Sequence, residues 1–114
     1  MTDRELLELA AKAAGYDFAW YCRGANNPNG IPNAPFANGH EWNPLTDDGD
    51  ALRLAVKLGM LVSVTSYIPG ENAWGFTSAV YKRAQITEKF TDKPYAATCR
   101  AIVRVAAEIG KGLK

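Results

Sequence analysis

The stretch that decides the fold is Glu41–Gly59, which reads EWNPLTDDGDALRLAVKLG. After its cluster of three aspartates the stretch is apolar except for a thin polar edge, a pattern typical of a largely buried helix. Carboxylates are favourable where a helix begins, because the helix N-terminus carries partial positive charge. We therefore predict a core helix over 47–58, with Thr46 or Asp47 as its N-cap and Gly59 as its end.

Two more helices are indicated by their ends. Thr2-Asp3-Arg4-Glu5 has the form of a capping box, and an apolar stripe follows it at helical spacing, so we predict a helix over Asp3–Ala14. Near the other end of the chain, Asp92 is a candidate N-cap and Pro94 suits the first turn of a helix. An apolar stripe from Tyr95 to Ile109 predicts that this helix is buried on one side.

Strands are indicated by alternation and by β-branched residues. Asp17–Cys22 alternates, Met60–Tyr67 is rich in valine and threonine, and Trp74–Lys82 follows a Pro69-Gly70 turn signal. A short further strand is predicted near Gln85–Thr87. The order α-β-α-β-β-α predicts an α/β (α+β) fold, a layered α-β-α sandwich around a small mixed sheet, in which the middle helix crosses between parallel strands.

The segment from Arg23 to Pro44 differs in kind from the rest of the chain. It is rich in asparagine, proline and glycine, each of which favours turns. We therefore predict a long loop over 23–44. A loop of this length is uncommon in a small domain and is either functional or disordered. The 114 residues are otherwise expected to form one domain over 1–114.

Composition excludes several classes of function. With 13 basic and 12 acidic residues the net charge is +1, whereas nucleic-acid binders usually carry a clear basic excess. No apolar run approaches the roughly 20 residues that cross a bilayer, and the N-terminus does not resemble a secretory signal. We therefore expect a cytoplasmic protein without nucleic-acid or membrane partners. Cys22 and Cys99 are expected to be two buried thiols rather than a disulfide.

Two motifs carry a resemblance to a known family. Trp42-Asn43-Pro44 with the acidic helix start, and the closing segment Ala96–Val103, resemble the phage ABA-sandwich domain and, more loosely, the NinX-like small phage and prophage proteins. The resemblance implies a layered α-β-α fold and a phage or prophage origin. It implies no established activity and no catalytic residues.

The candidate chemical groups are few. Asp47, Asp48 and Asp50 supply the oxygen ligands that divalent cations prefer, but helix capping explains them as well. His40 is the only histidine, and together with the acids it would suit a metal-assisted hydrolase. Because no catalytic or metal motif is complete, we predict no cofactor and no bound metal.

Aromatic residues around the long loop are the remaining candidates for function. They pack in cores, but with an arginine at the rim they also form interface hot spots. The binding residues predicted on this basis are Tyr21, Arg23, Phe36, His40, Trp42, Asn43 and Trp74. We expect a non-enzymatic binding module for a host or phage protein. The alternatives are a protein that binds or sequesters a nucleotide and the metal-assisted hydrolase, and an exposed hairpin edge would permit a homodimer.

Overall fold

The computed structural model describes residues 1–22, 34–67, 74–91 and 93–113, and at positions 66, 67 and 74 it describes the backbone only. Three helices and six strands make up this part of the chain. In chain order they are α1 (Asp3–Ala14), β1 (Phe18–Tyr21), β2 (Ala34–Ala37), β3 (His40–Glu41), α2 (Asp48–Leu58), β4 (Leu61–Tyr67), β5 (Trp74–Tyr81), β6 (Ala84–Phe90) and α3 (Pro94–Lys111).

The helix ends follow the local sequence closely. The Thr2 side chain accepts a hydrogen bond from the backbone N–H of Glu5, and Asp47 caps α2 by accepting from Asp50. Gly15 and Gly59 end α1 and α2 in the left-handed conformation, as predicted. For α3, the predicted cap Asp92 lies outside the described residues, and the N-cap is Lys93 without a side-chain hydrogen bond.

The α+β class is confirmed, but the strands are arranged differently from the single mixed sheet that we predicted. They form two antiparallel three-stranded sheets: sheet A in the order β1-β2-β3, and sheet B in the order β4-β5-β6. The helix α2 therefore connects two separate sheets, and the predicted crossover between parallel strands is wrong. The short strand that we predicted near Gln85–Thr87 is present as the longer β6.

The predicted loop over 23–44 is wrong for its second part, because β2 pairs with β1 and then turns back as a hairpin to pair with β3. The hairpin turns at Asn38 and Gly39, whose φ angles are +55° and +88°. Asn-Gly is the strongest short signal for such a turn, because both residues adopt positive φ at little cost. Residues 23–33 of the predicted loop lie outside the described residues.

The helix α3 lies at the centre of the molecule. It contacts α1, α2 and all three strands of sheet B, and eight of its residues are buried. Its contact with α1 is the most extensive between helices. Small side chains are common on the buried sides of both helices, and the fully buried alanines are Ala10, Ala11, Ala101, Ala106 and Ala107. A Cβ atom added at Gly110 would collide with the backbone carbonyl of Leu9, so here the two backbones themselves touch.

Sheet A is joined to this core by aromatic rings. Trp42 is only 5% exposed and makes edge-to-face contacts with Tyr16 at 5.6 Å and Phe18 at 5.9 Å between ring centroids. Such contacts stabilise a fold beyond the apolar area they bury. None of the helices in the described ranges is long and apolar enough to cross a membrane.

The α1–α3 contact can be tested by adding one methyl group. Gly110→Ala should destabilise the fold by about 1–3 kcal/mol, because the added carbon forces the helices apart. Gly112→Ala is the matched control, since the nearest atom to its added carbon is 3.5 Å away. Urea unfolding of both variants measures the effect. Equal free energies of unfolding for the two variants would show that the α1–α3 contact does not require a glycine at position 110.

Candidate functional site

The outer face of sheet A presents an exposed aromatic pair. Along β1 the side chains alternate, so that Phe18 and Trp20 point inward while Tyr21 points outward. Tyr21 is 55% exposed, and its ring lies 4.8 Å from the ring of Phe36 in an edge-to-face arrangement. Because Ala19, Phe36 and Glu41 are cross-strand neighbours, they share this outward face. We call the surface formed by Tyr21, Phe36 and Glu41 the aromatic face.

The structure places two of the predicted binding residues inside the fold. Trp42 is buried against Tyr16 and Phe18. Asn43 forms a turn: its Oδ1 atom accepts a hydrogen bond from the N–H of Leu45 at 3.1 Å, and its own N–H donates to Asp50 at 3.0 Å. Trp42 therefore packs inside the fold and Asn43 supports the start of α2, so neither forms a binding surface.

The other predicted residues lie apart or outside the described residues. His40 is exposed on β3, opposite Ala37 in the hairpin. Trp74 begins β5 and belongs to sheet B, and its side chain is not described. Arg23 lies outside the described residues. Of the seven predicted residues, the structure brings Tyr21 and Phe36 into contact.

The aspartates at the start of α2 all have structural partners. Asp47 caps the helix, and Asp50 accepts hydrogen bonds from the Asn43 N–H and from Arg53 at 2.8 Å. Asp48 accepts a hydrogen bond from the Cys99 thiol at 3.3 Å. Across the described ranges, no three His, Cys, Asp or Glu side chains are grouped so as to hold a metal ion.

The surroundings of Cys99 raise the pKa of its thiol from 9.0 to about 12. Burial is the largest cause, the hydrogen bond to Asp48 is the second, and the negative charge of Asp48 adds to both. Because the thiolate is the reactive form, Cys99 is unsuited to nucleophilic chemistry near neutral pH. Cys22 is exposed, contrary to our expectation of two buried thiols, and no disulfide joins it to Cys99.

An apolar groove that sequence analysis missed lies between α2 and β4, with α3 as its floor. Its volume is about 380 Å³. Its lining residues are Asp48, Ala51, Leu52, Val62, Val64, Pro94, Tyr95, Thr98, Cys99 and Ile102. Leu52 is 63% exposed, Val64 51% and Tyr95 73%, so large apolar side chains border the groove in contact with solvent. The helix α2 was predicted to be largely buried, and Leu52 and Val56 show that this is wrong for one of its sides.

A polar groove lies along the side of α3 that carries Arg100 and Arg104. One part, of about 420 Å³, is bordered by Lys89, Lys93 and Arg100. The arginines already have partners: Arg100 contacts Asp3 at 3.3 Å, and Arg104 forms an ion pair with Glu88.

No family model matches the chain, and neither a curated protein nor a solved structure matches it significantly. The resemblance to the phage ABA-sandwich family therefore stays a prediction from sequence.

The two cysteines should differ strongly in reactivity. In the folded protein a thiol reagent should modify Cys22 rapidly and Cys99 at least about 1,000-fold more slowly, since the high pKa of Cys99 suppresses its thiolate. The rates can be read by absorbance with an aromatic disulfide reagent at mildly alkaline pH. Cys22→Ser isolates the slow thiol, and denaturant should release it. Rapid modification of Cys99 in the folded Cys22→Ser variant would contradict its burial beside Asp48.

Proposed function

We propose that this protein is a non-enzymatic binding module, a small phage or prophage accessory protein of the host cytoplasm, that acts on a host or phage protein through the aromatic face. The observation that carries the proposal is the outward-facing Tyr21–Phe36 pair, in which Tyr21 is exposed and Phe36 is half-buried. The phage origin is supported by the resemblance of the Trp42-Asn43-Pro44 motif and the closing helix to phage ABA-sandwich proteins.

The geometry of the aromatic face suits a protein partner. Aromatic side chains are enriched among the residues that dominate interface energies. The edge-to-face contact between Tyr21 and Phe36 already orders both rings, so less side-chain entropy is lost on binding. On the inner face of the same sheet, Phe18 packs edge-to-face on Trp20 at 5.3 Å, which supports the outer pair from below.

Among the groups suited to chemistry, Cys99 and the aspartates of α2 have structural roles, which favours binding over catalysis. The Cys99 thiol is protonated near neutral pH, and the aspartates of α2 cap the helix or hold the turn at Asn43. Carboxylates with such partners are not available to activate water without loss of the contacts that hold α2.

The aromatic face can be tested by affinity capture from bacterial host lysate. A partner protein captured by the wild-type chain should be lost with the Tyr21→Ala/Phe36→Ala variant, because truncation of hot-spot aromatics removes most of the binding energy. Calorimetry with the purified partner should show at least about a 30-fold weaker affinity, the effect of 2 kcal/mol or more.

Phe76→Ala is the matched control, because Phe76 is a 40% exposed aromatic on a strand of the other sheet. Circular dichroism should show that both variants remain folded. Unchanged binding by the Tyr21→Ala/Phe36→Ala variant, or equal loss with Phe76→Ala, would refute the assignment of the aromatic face.

A nucleotide is the second candidate ligand, favoured by the cations that border the polar groove. Lys89 and Lys93 border this groove together with the acidic Asp3 and Glu88. Because these acids already pair with Arg100 and Arg104, the two lysines would meet the phosphate oxygens. A nucleotide at 100 times its Kd should add about 2.7 kcal/mol to the free energy of unfolding. Thermal shift with common nucleotides measures this, and Lys89→Ala/Lys93→Ala should abolish it. A flat screen with the wild-type protein would eliminate this candidate.

A further inference from the structure

The edge strand β4 lacks the features by which proteins protect sheet edges. In the described part of the chain it pairs on one side only, with β5. A free edge exposes unpaired N–H and C=O groups, and natural proteins protect such edges with charges, proline or very short strands. The sequence of β4, LVSVTSY, contains neither a charge nor proline. At seven residues it is also longer than a typical strand.

The other described edge strands all have protection. In sheet A, β1 has four residues and β3 has two. In sheet B the opposite edge is β6, which carries Glu88 and Lys89. Glu88 lies on the side of the sheet that faces α3, where it pairs with Arg104. Among the described edge strands, β4 is therefore the one that is long and also has neither charge nor proline.

The apolar groove runs directly beside this unprotected edge. Val62 and Val64 of β4 form one wall, and Leu52 on α2 and Tyr95 on α3 border the opening. Val56, 73% exposed, continues the apolar side of α2 one turn beyond Leu52. An edge strand and an exposed apolar surface that adjoin each other are together a protein-docking surface.

We propose that a second copy of this chain occupies this surface, so that β4 pairs antiparallel with β4 of the second copy about a two-fold axis. Full pairing of a seven-residue strand with its own copy places the central residue, Val64, on the axis. Sheet B then continues as a six-stranded sheet across the two copies. Because the axis is perpendicular to the sheet, both apolar grooves lie on the same side and meet at Val64.

The exposed area fits a dimer of this kind. Exposed apolar side chains lie on both faces of this edge, each between 51% and 73% exposed. Leu52, Val56, Val64 and Tyr95 lie at or beside the groove, and Leu61 lies on the opposite face of β4. Residues of these sizes present on the order of 600 Å² per copy, and a standard interface takes roughly 800 Å² from each partner. The backbone and the exposed Ser63 and Thr65 of β4 add to this area. A strand edge can pair with an identical edge, so no partner with a different surface is needed. This favours a second copy of the chain over an unrelated protein.

The partner strand would meet a rigid edge. Thr77 of β5 is fully buried, and its Oγ1 atom donates a hydrogen bond to the backbone carbonyl of Ser63 at 3.3 Å. This bond adds to the ladder between β4 and β5 and fixes β4 against the rest of sheet B. Little ordering of β4 is therefore needed on association, which lowers the entropic cost of the dimer.

Sedimentation velocity over a range of micromolar concentrations tests the proposal. The wild-type chain should sediment as a dimer, and Val64→Lys should weaken dimerisation by about 100-fold or more, because it opposes two like charges on the axis. Thr87→Lys is the matched control, because it adds the same charge to an exposed site on the opposite edge strand of the same sheet. A monomeric wild-type chain, or a dimer that persists in folded Val64→Lys, would overturn the proposal.

A cross-linking variant tests the register without adding charge. In a Cys22→Ser background, Val64→Cys should form a covalent dimer on mild oxidation, because directly opposed residues of antiparallel strands lie within reach of a disulfide. Thr87→Cys in the same background should remain monomeric on a denaturing gel. Cross-linking at 87 but not at 64 would overturn the pairing of β4. Because the aromatic face is on the other sheet, Val64→Lys should leave partner capture unchanged, so the two proposals fail separately.

Discussion

The whole arrangement depends on the close approach of α1 and α3. Buried alanines and Gly110 allow the two backbones to touch at Leu9, and no larger side chain fits between them. Dispersion contacts increase steeply at such short separations, so the contact fixes the relative position of the helices more tightly than larger side chains would. The helix α2 and sheet B pack on the sides of α3 that this contact leaves available.

The side chains on the remaining sides of α3 determine whether the surface next to each side is apolar or charged. Sheet B covers one side, and Cys99 and Ile102 point into the gap between α2 and β4, which becomes the apolar groove. Arg100 and Arg104 point the other way, where they form ion pairs with Asp3 and Glu88 along the polar groove. One helix therefore separates an apolar surface suited to association from a charged surface whose arginines are paired within the chain.

The features that sequence analysis predicted correctly are local. Thr2, Asp47, Gly15 and Gly59 act through bonds to residues a few positions away, so the helix ends could be read from the chain itself. The partners of each strand could not be read in this way, because a strand such as β1 can form its backbone hydrogen bonds with any neighbouring strand. The Asn38-Gly39 turn was a readable signal, but the surrounding prolines and asparagines concealed it.

Contacts between residues distant in the sequence also decide the burial of α2 and the role of Trp42, so neither could be predicted correctly for the candidate site. An apolar helix is expected to be covered by other residues, but the described residues of this chain leave Leu52 and Val56 of α2 exposed. The aromatic ring of Trp42, equally suited to a surface, instead packs on Tyr16 just after α1 and on Phe18 of sheet A. Trp20 forms a second link to α1, because its Nε1 atom donates a hydrogen bond to Glu8 at 2.8 Å. Both links use the inner face of sheet A, so the outer aromatic surface can diversify in evolution at little risk to the helical core.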